Sequence, residues 1–193
     1  MKRRTFDQIV TFVGFGLSVF LFIAAGLLNW GATFADGAVK SQLEAQQIVF
    51  PASNGDPEVD AATEAFFAAN GEKIMTTGKQ AQMYADYYIG YHLSKMPTYA
   101  EATALNRSAA GLAAASPANA DLQIAAGKAA ATVETVFKGE SLRGTLLTAY
   151  AFWELGQIAL ISAGVALLGG FLMLLLSIAG LIHLRRTPMD ATI

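Results

Sequence analysis

The sequence predicts an all-α protein in which two transmembrane helices flank an α-helical extracytoplasmic domain. Three observations support this fold class. Two long stretches near the ends of the chain are apolar and carry no charge. Apolar residues make up 54% of the 193 residues and charged residues only 15%, whereas about 25% of the residues in a typical soluble domain are charged. No long stretch alternates apolar and polar residues as a half-buried strand would.

The first apolar stretch, residues 8–30, is long enough to form a transmembrane helix. A bilayer core about 30 Å thick needs roughly 20 helical residues. Trp30 stands at the outer end, where an interfacial aromatic anchor is expected. A cleaved signal peptide is the alternative, because basic residues precede the stretch and Ala35 follows it. Signal peptides have apolar runs of only about 7–15 residues, so we expect residues 8–30 to remain as an anchor.

The second apolar stretch lies within residues 154–182 and completes the predicted topology. Basic residues flank the distal end of each stretch: Lys2, Arg3 and Arg4 precede the first, and Arg185 and Arg186 follow the second. Cytoplasmic flanks of membrane spans are enriched in Lys and Arg. Residues 1–7 and 183–193 are therefore predicted to be cytoplasmic, and residues 31–153 extracytoplasmic. The expected location is the plasma membrane, crossed twice.

The extracytoplasmic segment is predicted to form several helices with recognisable ends. Asp60 is expected to cap a short helix that ends at Asn70. The TYAE sequence is typical of a capping box, in which Thr98 caps the helix and Glu101 reaches back to its first turn. A longer helix through the tyrosine-rich sequence is expected to end at Pro97.

Two further helix boundaries are predicted nearer the second apolar stretch. Pro117 suits the first position of a helix. The KGES sequence at residues 138–141 suggests a turn. From Ser141 the apolar pattern is helical again and leads into the second apolar stretch.

Four tyrosines in the sequence YADYYIGYHL raise the question of a ligand site. At spacings of i, i+3, i+4 and i+7 they share one face of an α-helix, and a histidine lies one turn after the third tyrosine. The five candidate residues are Tyr84, Tyr87, Tyr88, Tyr91 and His92. This face could pack against another helix or partner, lie at the bilayer interface, or form one wall of a pocket. A pocket needs walls from several elements and convergent polar groups, so packing or an interface is the preferred interpretation.

Catalytic and metal-binding chemistry has few candidates in this sequence. The chain has no cysteine and only two histidines, His92 and His183. His92 has no partner at the spacing of a zinc motif, and no nucleophile elbow or phosphate-binding loop is present. The net charge of -2 gives no basic footprint for nucleic acid. We therefore expect no catalytic residue, no metal and no cofactor.

Small residues on both apolar stretches predict close helix packing within the membrane. Gly14 and Ser18 are four residues apart on the first stretch, and Ser162, Ala166 and Gly170 recur every four residues on the second. Such positions let the backbones of neighbouring helices approach closely in lipid. The pattern fits pairing of the two helices with each other, and also docking against a larger membrane partner.

Three segments of the chain, VKSQLEAQQIVFP, QAQMYADYYIGYHLSKMPTYAEATAL and FKGESLRGTLLTAYAFWELGQIAL, carry a family resemblance. Together with the order of the apolar stretches, they resemble small actinobacterial two-span membrane proteins of unassigned function. Some of those proteins carry an automatic description as aromatic ring-opening dioxygenases. Ring-opening enzymes need an iron site, typically built from His and carboxylate ligands, and the external segment has one histidine. The resemblance therefore implies a topology and supplies no catalytic residues.

These observations favour a non-enzymatic integral membrane protein. The expected role is an accessory or stabilising subunit of a larger respiratory or cell-envelope complex. The alternative is a membrane-anchored extracytoplasmic sensor or small-ligand-binding module. The expected partners are the lipid bilayer and either a second membrane protein or further copies of the chain, with no nucleic acid.

Overall fold

The computed structural model of the protein describes residues 3–186 and Pro188. Lys2 and most of the tail after Arg186, on which the predicted topology partly depends, lie outside the described residues. The described part contains six α-helices, one π-helical segment and no strand, so the all-α class is confirmed. The helices are α1 (Arg3–Gln46), α2 (Ala61–Asn70), α3 (Gly78–Met83), α4 (Gly90–Ser94), α5 (Tyr99–Ala115) and α6 (Ala120–Arg186), and the π segment (Tyr84–Ile89) joins α3 to α4.

The chain forms two compact units. The first unit combines the chain up to Gly37 with the chain from Glu154 onward, and the second is Ala38–Trp153. Helices α1 and α6 are each long enough to contribute to both units. Each helix contains one of the two apolar stretches found in the sequence, and each is long and apolar enough to cross a membrane.

The first unit is an antiparallel pair of helices held together by small residues. One series of buried positions recurs every seven residues on each helix: Thr11, Ser18, Ala25 and Ala32 on α1, and Gly156, Ala163, Gly170 and Ser177 on α6. Gly14 and Ala35 of α1, three residues after the first and the last of its series, are buried as well. A seven-residue repeat keeps one narrow face of each helix against the other, as in a left-handed coiled coil. The hydroxyl of Ser18 donates to the carbonyl oxygen of Gly170 across the pair at 2.9 Å.

The outer surface of this helix pair is strongly apolar. Large side chains such as Phe12, Ile161 and Leu168 are about two-thirds exposed or more, at 66%, 68% and 72%. Only 22% of the most apolar stretch of α1 and 11% of that of α6 is buried in the protein. The core helix of a soluble protein would bury most of this surface, since exposing it to water is costly. The pair therefore has the length and surface of two membrane-spanning helices.

The second unit has its own apolar core. Its centre is formed by Phe50, Phe67, Met75 and Ala85, which are fully buried, with Leu146 of α6 beside them. The segment after α1 is fixed to the segment after α2 by backbone hydrogen bonds. The amide of Phe50 donates to the carbonyl oxygen of Lys73, and the amide of Met75 donates to that of Ile48, both at 2.8 Å.

Helix ends that depend on local chemistry agree with the predictions. The side chain of Asp60 accepts hydrogen bonds from the amides of Ala62 and Thr63, and α2 ends at Asn70 as predicted. The predicted capping box is present at the start of α5. The amide of Thr98 donates to the carboxylate of Glu101 at 2.8 Å, and the amide of Glu101 donates to the hydroxyl of Thr98 at 3.3 Å.

Two predicted boundaries are wrong. Helix α6 begins at Ala120, capped by the side chain of Asn119, so Pro117 lies in the preceding turn. The predicted turn at residues 138–141 is instead part of α6, which continues without a break to Arg186. Gly139 serves close packing there, because a Cβ atom at this position would lie only 2.8 Å from Cδ2 of Leu93.

Candidate functional site

The predicted tyrosine face is shaped by a π segment. Residues Tyr84–Ile89 form π-helical backbone, in which the amide of Gly90 donates to the carbonyl oxygen of Ala85, five residues earlier. Such segments are rare and occur frequently at functional sites. The sequence gives no local reason to expect one, because the spacing of the tyrosines fits an ordinary α-helix.

Three of the candidate aromatic residues form a row that extends the core of the second unit. The ring centroid of Tyr84 lies 6.1 Å from that of Phe50 and 4.9 Å from that of Tyr88. The ring of His92 follows, 4.5 Å from that of Tyr88. Tyr84 and Tyr88 pack against the apolar core, so their rings contact protein on one side and each other along the row. Burial, and secondarily the neighbouring Tyr88, raises the pKa of Tyr84 above its ordinary value.

Tyr87 does not share this row. Its side chain is 38% exposed. The wide turn of the π segment, with bonds between residues five apart, needs more residues per turn than an α-helix. Three positions after Tyr84 the chain has therefore not returned to the face occupied by Tyr84 and Tyr88. The structure thus separates one of the four tyrosines from the others.

Tyr91 and His92 lie at the outer end of the row, beside the loop before α2. The ring of Tyr91 meets that of His92 edge-on with centroids 5.5 Å apart, and Nδ1 of His92 lies 2.7 Å from the carbonyl oxygen of Tyr88. The ammonium of Lys95 lies 3.8 Å from the centroid of the Tyr91 ring. Among the described residues no three His, Cys, Asp or Glu side chains are grouped as a metal site requires.

A charged cleft on another side of the π segment was not predicted. Nε of Arg143, on α6, donates to the carbonyl oxygen of Ala85 at 3.2 Å, and Nη2 of the same side chain donates to Oδ1 of Asp86 at 3.2 Å. Oε2 of Glu140 lies 3.9 Å from Nη1 of Arg143. Asp86 and Arg143 are 57 residues apart in the chain, so no spacing rule could have joined them. The one local signal was a single arginine within the otherwise uncharged sequence SLRGTLLTAYAFW.

The cleft that Arg143 borders has a volume of about 440 Å³. Its polar lining consists of two carboxylates, one guanidinium and two hydroxyl groups, and its apolar lining comes mainly from Leu93, Met96, Pro97 and Val136. The side chains of Arg143 and Asp86 are each about one-third exposed. A small-molecule site requires converging polar groups on an apolar wall. Because two carboxylates face one guanidinium in this cleft, one negative charge is in excess.

In the first unit, three of the five predicted packing residues lie directly at the helix contact. A Cβ atom at Gly14 would overlap Oγ of Ser177, and one at Gly170 would lie 2.9 Å from the ring of Phe22. Ser18 makes the hydrogen bond to Gly170 described above. The other two residues, Ser162 and Ala166, are half-buried. The hydroxyl of Ser162 donates to a carbonyl oxygen of its own helix.

Several large apolar side chains on α5 and on the first part of α6 are also exposed. The inner face of α5 is buried at Ala102 and Ala113. Five large apolar side chains on these two helical stretches are between 50% and 60% exposed, namely Tyr99, Leu105, Leu112, Ile124 and Phe137. The rings of Tyr99 and Phe137 contact each other, with centroids 6.0 Å apart. We call these five residues the apolar hairpin surface.

Together these features provide an apolar helix pair, an aromatic row, a charged cleft and an exposed apolar surface. None of them is a recognisable arrangement of nucleophile, base and oxyanion donors. Comparison of the chain with protein-family models, curated proteins and solved structures finds no significant match.

Proposed function

We propose that the protein is a two-span membrane protein whose role is to bind and stabilise a larger membrane complex without catalysing a reaction. The observation that carries the proposal is the apolar hairpin surface. Its five side chains belong to the second unit and lie outside both apolar stretches of the sequence. A contiguous apolar patch on a folded domain marks an interaction site, and the contact between the rings of Tyr99 and Phe137 joins the exposed apolar groups of the two helices.

The first unit supports the same role. Its helices use small residues to pair closely and direct their large apolar residues outward. Two closely paired spans of this kind anchor the second unit at the membrane. The proposed partner is a membrane protein of the cell envelope or respiratory chain, or a further copy of this chain.

The test is recovery of a stoichiometric partner in mild detergent, followed by disruption of the proposed contact. We expect Leu112→Glu to release the partner, because a carboxylate at a desolvated interface is costly. Ala114→Glu, an exposed position two residues away on α5, is the matched control and should retain it. Purification of the wild-type protein as a lone monomer from its native membrane, under conditions that preserve other complexes, would contradict the proposal.

The charged cleft favours a second candidate function, that of a membrane-anchored ligand-binding sensor. The cleft contains charges of both signs beside an apolar wall, from Arg143, Asp86 and Glu140. Thermal unfolding measured with small amines, carboxylates and amino acids would detect such a ligand. We expect a stabilising shift that Glu140→Gln reduces and that Glu134→Gln, on an exposed part of the same helix, leaves unchanged. No shift with any of these three ligand classes would argue against this role.

A further inference from the structure

The π segment is held by a contact that reaches it from a distant part of the chain. The carbonyl oxygen of Ala85 accepts two hydrogen bonds, one from the amide of Gly90 and one from Nε of Arg143. The same guanidinium pairs with Asp86, the next residue along the segment. One side chain of α6 thus fixes two consecutive residues of the π segment.

Gly90 lies beside this contact. A Cβ atom at Gly90 would lie 3.4 Å from the carbonyl oxygen of Ala85 and 3.8 Å from Nε of Arg143. Both distances are ordinary van der Waals contacts, so the shared oxygen and the guanidinium pack against this position without requiring glycine there.

The alternative backbone for this segment is an ordinary α-helix. In that state the carbonyl oxygen of Ala85 would accept from the amide of Ile89, four residues later. A π turn absorbs one residue more than an α turn. Reversion to an α-helix would therefore rotate the residues after the segment by about 100°, which is the rotation per residue of an α-helix. Residue 92 would then take the place that residue 93 occupies in the π state.

We propose that Tyr84–Ile89 is a two-state element whose register is set by the position of Arg143. While the guanidinium holds Ala85 and Asp86, the segment is π-helical and Leu93 packs against Gly139 of α6. When α6 moves so that Arg143 leaves the segment, the α register follows and His92 turns toward α6. Displacement of α6 is thereby converted into rotation of α4 and of the outer end of the aromatic row.

The test uses disulfide formation as a reporter of register, which is simple because the chain has no cysteine. In the full-length protein in detergent, Leu93→Cys with Gly139→Cys reports the π state, because Cγ of Leu93 lies 3.4 Å from the Cβ position of Gly139. His92→Cys with Gly139→Cys reports the α state. In the otherwise wild-type chain we expect the first pair to cross-link much faster than the second.

In a chain that also carries Arg143→Met, the second pair should cross-link faster than the first. Methionine keeps the apolar stem of the side chain and removes its polar contacts with Ala85 and Asp86. Arg107→Met, an exposed arginine on α5, is the matched control and should change neither rate. Ala35→Cys with Gly156→Cys, whose Cβ positions lie 3.0 Å apart in the first unit, should cross-link equally in all backgrounds and shows that the helix pair remains folded.

An unchanged preference for the 93–139 pair in the Arg143→Met background would overturn the proposal. Equal loss of both cross-links would also overturn it, because that result indicates a loosened structure and no shift of register. If Arg143→Met does not fold, Arg143→Lys decides the question. Lysine keeps the charge near Asp86 but lacks the Nε donor and forked geometry of arginine, so the 92–139 cross-link should still gain at the expense of the 93–139 cross-link.

Discussion

At the scale of single residues, Tyr84 couples the buried core to the aromatic row. Its ring lies between those of Phe50 and Tyr88, and burial raises the pKa of its hydroxyl above the ordinary value of 10.0. The folded protein therefore keeps this proton at a pH where the unfolded chain releases it. The resulting stabilisation is complete below about pH 10 and is lost as the pH rises through the raised pKa.

We therefore predict that the folded protein loses stability at alkaline pH and that this loss depends on the hydroxyl group of Tyr84. In detergent, the melting temperature of the wild-type protein should fall between pH 9 and pH 11 more steeply than that of Tyr84→Phe. Tyr87→Phe, at the exposed tyrosine, serves as the control and should follow the wild-type curve. Identical curves for all three proteins would show that Tyr84 does not carry the effect.

A second residue-scale prediction concerns Gly170 in the helix pair. A side chain there would overlap the ring of Phe22, which lies 2.9 Å from the Cβ position. Overpacking of this kind typically costs about 1–3 kcal/mol. We expect Gly170→Leu to lower the midpoint of denaturant unfolding in detergent. Gly164→Leu should have little effect, because no atom lies within 4 Å of its Cβ position; equal losses in the two variants would contradict the packing described here.

At the scale of helices and segments, the capping box of α5 gives a prediction about acid. Hydrogen bonds from the backbone and then from the side chain of Thr98 lower the pKa of Glu101 below its ordinary value of 4.5. The stabilisation is therefore present above about pH 4.5 and is lost as the pH falls through the lowered pKa. Thr98→Ala removes one partner of the box and should destabilise α5 by about 1 kcal/mol.

The rate of amide hydrogen exchange in the first turn of α5 measures the stability of this capping box directly. Exchange should accelerate in Thr98→Ala at pH 7 and in the wild-type protein as the pH approaches 4, after correction for intrinsic rates. Thr103→Ala is the matched control, since its hydroxyl only donates to a carbonyl oxygen one turn back on the same helix. Comparable acceleration in that control would mean that the effect does not come from the cap.

The π segment leads to a prediction about chain length. Deletion of Tyr87 removes the residue that the wide turn absorbs, so the remaining residues can close as an α-helix. We expect this deletion to cost less stability than deletion of Ala104 within α5, where every later residue would be rotated away from its contacts. Melting temperatures of the two deletion variants in detergent provide the comparison. A greater loss for the Tyr87 deletion would argue against an absorbed residue.

How much of each element was predictable follows from how local its cause is. The caps at Asp60 and Thr98 depend on side chains two or three residues from the groups that they bind, and both could be predicted from the sequence. The π segment depends on Arg143, more than 50 residues away, and Gly139 is explained by Leu93 on another helix. Sequence spacing therefore misplaced Tyr87, missed the cleft and mistook a packing glycine for a turn. On α1 the predicted pairing residues Gly14 and Ser18 are both buried, whereas on α6 only Gly170 is, because the buried positions there recur every seven residues and the prediction assumed four.

At the scale of the whole molecule, the two apolar helices are long and apolar enough to cross a membrane. The large apolar side chains exposed on their outer surfaces favour lipid over water as their surroundings. We therefore expect the protein to remain in the membrane pellet after washing with alkaline carbonate or high salt. Release of the intact chain into the supernatant would remove the basis for the proposed function.

The predicted orientation places the second unit and both chain ends on opposite sides of the membrane. Because the chain contains no cysteine, single cysteines can be introduced without other changes. Gly55→Cys lies in the exposed loop before α2, and Ala191→Cys lies in the tail outside the described residues. A membrane-impermeant maleimide added to intact cells should label the first and not the second, and both should react after the membrane is opened. Labelling of both in intact cells would exclude a cytoplasmic C-terminus, and labelling of neither would exclude an external second unit. Labelling of neither would also require the interface proposed on the apolar hairpin surface to be sought on the cytoplasmic side of the membrane, since Gly55 and that surface belong to the same unit.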